Sequence, residues 1–235
     1  RAAGAAMVAL PEMFLVGYQT QDLVRRPAFF AEAMAEVEAL AARIADGPAM
    51  GIGAPFWDGT DLYNAWYVLE GGRVAHRVLK QVLPNTNVFD EKRLFRWAKD
   101  QPPYRIGPLL IGSPICEDAW WENRVCSSLA AQGAEVLLVP NGSPYHRGKV
   151  AVRRHHMAAR VAETGLPLVY LNMVGGQDDQ VFDGASFGIN PGQEHAFQML
   201  SFADEIRHID LIRTAAGWRI GPGRNWPEPD PWEGD

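Results

Sequence analysis

The run EVLLVPN (135–141) constrains the fold of this chain more than any other stretch. From Val136 to Pro140 no polar side chain interrupts it, so a strand there must be buried on both faces. Helical patterns flank it. WENRVCSSLAAQGA (121–134) precedes it, and KVAVRRHHMAARVAETG (149–165), ending at Gly165, follows it. Further strands are predicted at 109–115 and in PLVYLNMVG (167–175). Earlier, residues 6–11 form a short apolar strand leading to Glu12, and AMGIGAPF (49–56) forms another. Between them lies a helix over 27–47: Pro27 suits its first turn, and Gly47 suits its C-terminal cap. Its positions 30, 33, 34, 37, 40, 41 and 44 make one apolar stripe. LYNAWYVLE and RVAHRVLK around Gly71-Gly72 signal a hairpin. VFDGASFGIN, HAFQML and EIRHIDLI read as an antiparallel finish. Strands that alternate with helices and then give way to hairpins define an α/β class with a mixed sheet.

At 235 residues the chain is long enough for one substantial core, and its eight tryptophans belong to a packed globule. The expected layout is a single domain over 1–220 and a linker or tail over 221–235, which is rich in Pro, Gly and acid. The chain opens on Arg1, and RAAGAAMVALPE reads as the tail of a helix followed by a strand, so an element or two is expected before residue 1. Net charge is −6, with no dense basic block, which argues against nucleic acid as a partner. The richest basic patch, Arg147, Lys149, Arg153 and Arg154, reads as one solvated helix face. No apolar run approaches the ~20 residues of a spanning helix, so membrane insertion is not supported. There are two cysteines, Cys116 and Cys126, and no signal peptide, which fits a reducing cytoplasm better than a disulfide scaffold.

Chemistry gathers in GSPICEDAWWE (112–122). Cys116 follows an apolar run and precedes Glu117 and Asp118, so a rigidly held thiol remains within reach of a substrate. A thiol of pKa about 8.5 is mostly protonated at neutral pH and needs activation before it can attack. The neighbouring carboxylates work against that, and a nearby ammonium is required. Lys80, on the strand end RVLKQVLPN (77–85), is the strongest candidate. Glu12 ends another strand among Leu10, Met13, Phe14 and Leu15; a half-buried carboxylate there has a raised pKa suited to moving protons. Each residue also has a plain structural reading: Cys116 as a small buried hydrophobe, Glu12 as a surface carboxylate, Lys80 as a solvated hairpin lysine. Cys126 lies mid-helix among apolar neighbours and reads as structural. His155 and His156 point about 100° apart and cannot share a metal as an i, i+4 pair does, so no metal site is read.

Taken together, these segments resemble the nitrilase (carbon–nitrogen hydrolase) superfamily, whose members carry a Glu-Lys-Cys triad on an α-β-β-α sandwich. The narrower resemblance is to the glutaminase domains of bacterial glutamine-dependent NAD+ synthetases. It is carried by PEMFLVGYQTQDL (11–23), KQVLPNTNVFDEKRLF (80–95), PICEDAWWE (114–122), LLVPNGSPYHRGK (137–149) and LPLVYLNMVGGQDDQVFDGASF (166–187). The resemblance implies a nitrilase-like sandwich with mixed sheets, lacking the family's opening strand and helix. Glu12 is then the general base, Lys80 the cation at the oxyanion and Cys116 the nucleophile, with Glu91 supporting the lysine. Tyr18, Glu117 and Ser143 match positions lining the glutamine pocket, and Lys149 stands near the substrate carboxylate. One departure is Thr86, where the family has a tyrosine after LPN.

The implied reaction is hydrolysis of L-glutamine through a thioester, with no cofactor. Its ammonia would pass to a synthetase domain, absent from this chain, that amidates deamido-NAD+ with ATP and Mg2+. A homo-oligomer in the cytoplasm is implied as well. Two other readings stay open: a free-standing amidase or carbamoyl hydrolase with the same triad, and a non-catalytic partner that keeps the fold.

Overall fold

Gly71 and Gly72 both adopt positive φ (58° and 81°), the geometry a two-residue hairpin turn needs, and they join two adjacent antiparallel strands as expected. The computed structural model of the chain describes residues 4–221, which divide into two compact units, one ending at Gln101 and one beginning at Pro102.

The N-terminal unit is built on a four-stranded sheet in the order β1-β2-β3-β4. β1 (Met7–Ala9) runs parallel to β2 (Ala49–Trp57), with Met7 opposite Ala49. β3 (Leu62–Glu70) and β4 (Arg73–Leu79) continue it antiparallel. The crossover from β1 to β2 carries α1 (Pro27–Arg43), with Pro27 in its first turn. The predicted stripe is the buried face: Val37 and Ala41 pack on Ile52, Ala54, Ala65, Tyr67 and Leu69, with Leu40 and Ile44 at the margin. The helix stops a turn before Gly47, which closes the following turn through an N–H bond to the Ile44 carbonyl (2.7 Å). After β4 the chain passes to α2 (Glu91–Leu94), a single turn fastened by the Glu91 N–H to the Pro84 carbonyl.

The C-terminal unit has a six-stranded mixed sheet in the order β12-β11-β8-β7-β6-β5. β5 (Tyr104–Ile106), β6 (Leu109–Gly112), β7 (Val136–Asn141) and β8 (Leu168–Asn172) follow in sequence, and β6, β7 and β8 are parallel. All six residues of β7 are buried, as its unbroken apolar run requires. α3 (Val125–Ala131) crosses from β6 to β7 and α4 (Lys149–Thr164) from β7 to β8; Gly165, at φ 70°, ends α4 as predicted. A separate hairpin, β9 (Val174–Gln177) with β10 (Gln180–Asp183), precedes β11 (Phe187–Asn190) and β12 (Glu194–Gln198).

Several boundaries differ from the sequence reading. α3 is half the length predicted over 121–134 because the Glu163 carboxylate takes the Asn123 N–H (2.8 Å) and the Ser127 hydroxyl, fixing 121–124 as a separate turn. VFDGASFGIN divides between two sheets at Gly184 and Ala185, both at positive φ. EIRHIDLI contributes only the start of β13 (Leu211–Thr214), which pairs with β14 (Gly217–Ile220). Beyond Gly221, the expected tail lies outside the described residues. No helix among the described residues is long and apolar enough to cross a membrane.

Candidate active site

In the N-terminal unit the chain leaves β1 and folds tightly over β2. Bonds from Leu10 N–H to the Gly51 carbonyl (2.8 Å), Gly53 N–H to Pro11 (3.2 Å) and Leu15 N–H to Gly53 (3.0 Å) hold residues 10–15 in place. The approach is so close that a Cβ on Gly53 would lie 2.0 Å from the Met13 nitrogen. This fold-over points Glu12 inward, where its carboxylate is fully buried rather than half-buried. Lys80 follows β4 directly, its N–H held by the Asn64 carbonyl (2.9 Å) and its carbonyl by the Ala98 N–H (3.0 Å).

The Lys80 ammonium is 0% exposed and lies 2.7 Å from Glu12 Oε1 and 3.0 Å from Glu91 Oε1. The reading of Lys80 as a solvated hairpin lysine therefore fails. Tyr18 donates its hydroxyl to Glu91 Oε1 (2.7 Å), and Asn64 Nδ2 donates to Glu12 Oε1 (2.7 Å) and Glu91 Oε1 (3.3 Å). Burial raises the pKa of Glu91; the Lys80 ammonium opposes the rise and the charge of Glu12 adds to it. Asn64 escaped the sequence reading, although a polar residue in the buried strand LYNAWYVLE was a usable signal. Thr86 is exposed, and its carbonyl accepts the Phe89 N–H (3.1 Å).

In the C-terminal unit, Cys116 opens a 3-10 turn (Cys116–Ala119) beyond β6. Asp118 fixes the turn by accepting the Ile115 N–H on its carboxylate (3.0 Å), while the Ile115 carbonyl accepts the Asp118 N–H (3.0 Å). Cys116 itself sits at φ 46°, in the left-handed region that a residue with a Cβ enters only when its surroundings impose it. The thiol is nearly buried, and neither cysteine is in a disulfide. Cys126 lies in α3, also buried, with its thiol pKa pushed up by desolvation. Glu117 is half-buried and accepts the Trp121 indole N–H (3.1 Å).

The basic patch read as a solvated helix face is largely built inward. Arg153 is fully buried: it bonds Asp183 Oδ2 (2.8 Å), the Ser143 hydroxyl (3.1 Å), and the carbonyls of Ser143 (2.8 Å) and Pro144 (3.1 Å). Ser143 thus stands within the arginine's hydrogen-bond network. Lys149, at the start of α4, is half-buried, and burial followed by the like charge of Arg153 lowers its pKa. Cys116, Glu117 and Asp183 act on the same ammonium in the opposite sense, which places the lysine in the electrostatic company of the thiol. Sequence reasoning missed Arg153 and Asp183 as partners because thirty residues separate them. Among the described residues no three His, Cys, Asp or Glu side chains gather to hold a metal ion.

The chain as a whole is similar to known proteins. The family model of the carbon–nitrogen hydrolases matches residues 1–216. A glutamine-dependent NAD(+) synthetase of Rhodobacter capsulatus is 61% identical over 222 residues, which are 94% of this chain and 40% of that protein. One from Xylella fastidiosa (strain Temecula1 / ATCC 700964) is 39% identical over 214 residues, 90% of this chain and 39% of its own. The chain therefore spans about 40% of the length of the curated relatives it matches. Among solved structures, the glutamine-dependent NAD+ synthetase of Acinetobacter baumannii in complex with ADP superposes with a TM-score of 0.87 at 31% identity, over 97% of this chain and 43% of that one. An amidase of the nitrilase superfamily from Nesterenkonia AN1 shares the α/β fold, with a TM-score of 0.73 at 23% identity over 85% of this chain and 76% of its own.

Proposed function

This chain belongs to the carbon–nitrogen hydrolase family, and from that premise we infer that it hydrolyses the side-chain amide of L-glutamine as the ammonia-releasing part of a longer NAD+-forming ligase. The observation that carries the reading is Lys80. An ammonium with no exposure, clamped between two carboxylates, is a poor device for stability alone, since desolvating such charges offsets much of their attraction. It is a good device for holding a cation and a proton acceptor ready at a reacting carbonyl.

The proposed chemistry runs through Glu12, Lys80 and Cys116. Glu12 takes the thiol proton of Cys116, and the thiolate attacks the amide carbon of glutamine. The oxyanion is held by the Lys80 ammonium and the Glu117 backbone N–H; fixed donors of this kind contribute roughly 3 kcal/mol each to the transition state. As the C–N bond breaks, Glu12 returns its proton to the leaving nitrogen, giving ammonia and a thioester. The same carboxylate then takes a proton from water, hydroxide attacks the thioester, and the departing thiolate is reprotonated as glutamate leaves. One base serves both halves of the reaction, so the scheme needs no histidine. Glu91 and Tyr18 hold Lys80 and Glu12 in place, while Glu117 and Lys149 recognise the substrate α-ammonium and α-carboxylate.

The ammonia goes, on this reading, to an ATP- and Mg2+-dependent amidation of deamido-NAD+ carried out by a further domain of the longer protein. That protein is proposed to work as a homo-oligomer in the cytoplasm, where thiols stay reduced. Support comes from the relatives' names and from the share of their length that this chain covers. The test is ammonia release from L-glutamine compared with L-asparagine and simple aliphatic amides. Preference for glutamine is the expected result. Equal rates on simple amides would replace the reading with a general amidase, and no turnover of any amide would end it.

A further inference from the structure

Trp120, four residues beyond the thiol, plays no part in the scheme above. Its indole nonetheless joins the turn that carries Cys116 to α4. The Lys149 ammonium lies 4.4 Å from the centre of the Trp120 ring, and the His156 ring lies 4.5 Å from it, tilted by 39°. Lys149, Arg153 and His156 are spaced i, i+4 and i+7, one face of α4 over two turns. The indole N–H is buried and has no hydrogen-bond partner among the described residues, so the ring is held through its faces. Lysine has four rotatable bonds and is otherwise a poorly ordered side chain. Here an aromatic face fixes the ammonium, and the next cation along the helix, Arg153, is tied to Asp183 and cannot take its place.

We propose that Trp120 is a positioning residue that sets Lys149 as the recognition group for a substrate carboxylate beside Cys116, and so helps determine specificity. The substrate half of this inference rests on the glutaminase reading; the placement of the cation does not. With Glu117 on the residue after the thiol, the site takes an amide whose chain carries both an ammonium and a carboxylate. Loss of the indole leaves Lys149 in place but unfixed. Binding of the carboxylate then weakens while attack on the amide is untouched.

Two paired measurements test this. L-Glutamine and 4-aminobutanamide differ only in the α-carboxylate. Trp120→Leu is expected to raise KM for glutamine about five- to tenfold, the size of a partly desolvated cation–π contact, with kcat/KM for 4-aminobutanamide unchanged. Trp120→Phe keeps an aromatic face and is expected to rescue most of the loss. The second measurement needs no turnover: the rates at which iodoacetate and iodoacetamide alkylate Cys116, read by mass spectrometry of the modified peptide. In each case a carbon–sulfur bond forms, iodide leaves and the thiol proton is lost, but only iodoacetate carries a carboxylate. The iodoacetate-to-iodoacetamide ratio is expected to fall in Trp120→Leu and in Lys149→Met, and to hold in Trp120→Phe. Should Trp120→Leu not fold, the other two variants still decide. If both reagents slow in proportion, or the ratio does not move, the proposal is overturned. If wild-type protein turns over no glutamine while the ratio behaves as expected, the glutaminase reading fails and the placement of Lys149 stands.

Discussion

In the N-terminal unit one buried ammonium faces two carboxylates, whereas in the C-terminal unit two cations, Lys149 and Arg153, meet three carboxylates, Glu117 and Asp118 in the turn of the thiol and Asp183 on β10. The first arrangement carries an excess of acceptors, and burial, with the charge of Glu12 adding to it, raises the pKa of Glu91. It is suited to holding a proton and giving it back. In the second, Arg153 is paired with Asp183 and the Asp118 carboxylate accepts the Ile115 N–H, so Lys149 is the cation that offsets the carboxylates beside the thiol and favours an anion there.

Removing the thiol is the most direct way to break this comparison. Cys116→Ala is expected to reduce ammonia release from glutamine by on the order of 10⁴-fold or more, with the melting temperature nearly unchanged. Survival of the activity would move the chemistry away from this turn. Next in size are Lys80→Met and Arg153→Met, each of which strands a buried carboxylate and is expected to destabilise the protein by about 3–5 kcal/mol in denaturant titrations. Their pH dependence should separate the two clusters. Acid restores much of the Lys80→Met loss, because protonation removes the charges that Lys80 balanced. Arg153→Met recovers only in part, since at any pH the Pro144 carbonyl loses its guanidinium donor and the Ser143 carbonyl keeps only the longer bond from Asn172 Nδ2 (3.3 Å). Identical acid recovery in the two variants would contradict the difference drawn here.

What could be read in advance follows the same division. Glu12, Lys80, Glu91 and Cys116 sit in unusual local strings, and the turn glycines Gly71, Gly72 and Gly165 announce themselves through the conformations they alone adopt easily. Arg153 could not be read this way. Helical periodicity groups it with Arg147, Lys149 and Arg154, and that spacing describes a solvated face equally well. Only β10, thirty residues on, supplies the carboxylate that makes burial tolerable. Trp120 was hidden for the same reason, because its partners lie on a helix that begins 29 residues later. The short strand β5 and the length of α3 were illegible because tertiary partners, β6 and Glu163, decide them.

Gly53 tests whether the carboxylate cluster depends on backbone shape as much as on charge. In the sequence it is one more small residue in AMGIGAPF, yet a Cβ there would also lie 2.6 Å from the carbonyl carbon of Glu12. With the Pro11 carbonyl oxygen at 2.7 Å, all three nearest atoms it meets are backbone, so the segment 11–13 must move. Gly53→Ala is expected to cost about 1–3 kcal/mol of stability through overpacking. It should also lower kcat well beyond what that loss explains, because displacing a reacting group by an ångström is worth about 10²-fold. Normal kcat in a destabilised variant would show that Glu12 does not need this exact seat.

The smallest effect probes charge without disturbing shape. Glu91→Gln keeps an oxygen for Tyr18, Asn64 and Lys80 while removing one of the two negative charges. In the folded protein Glu91 holds its proton to a higher pH than its ordinary value of 4.5, with burial as the main cause. The stability it contributes is therefore fully present below the unfolded value and is lost as pH rises through the folded one. Wild type should lose stability relative to Glu91→Gln over that window, beginning near pH 4.5 and ending above the raised pKa. Subtracting the two pH–stability curves separates Glu91, with its effect on the neighbouring Glu12, from the remaining carboxylates. A difference of the opposite sign would mean that Lys80 outweighs burial, and the N-terminal cluster would then be a balanced ion pair with a spare partner instead of a seat under strain.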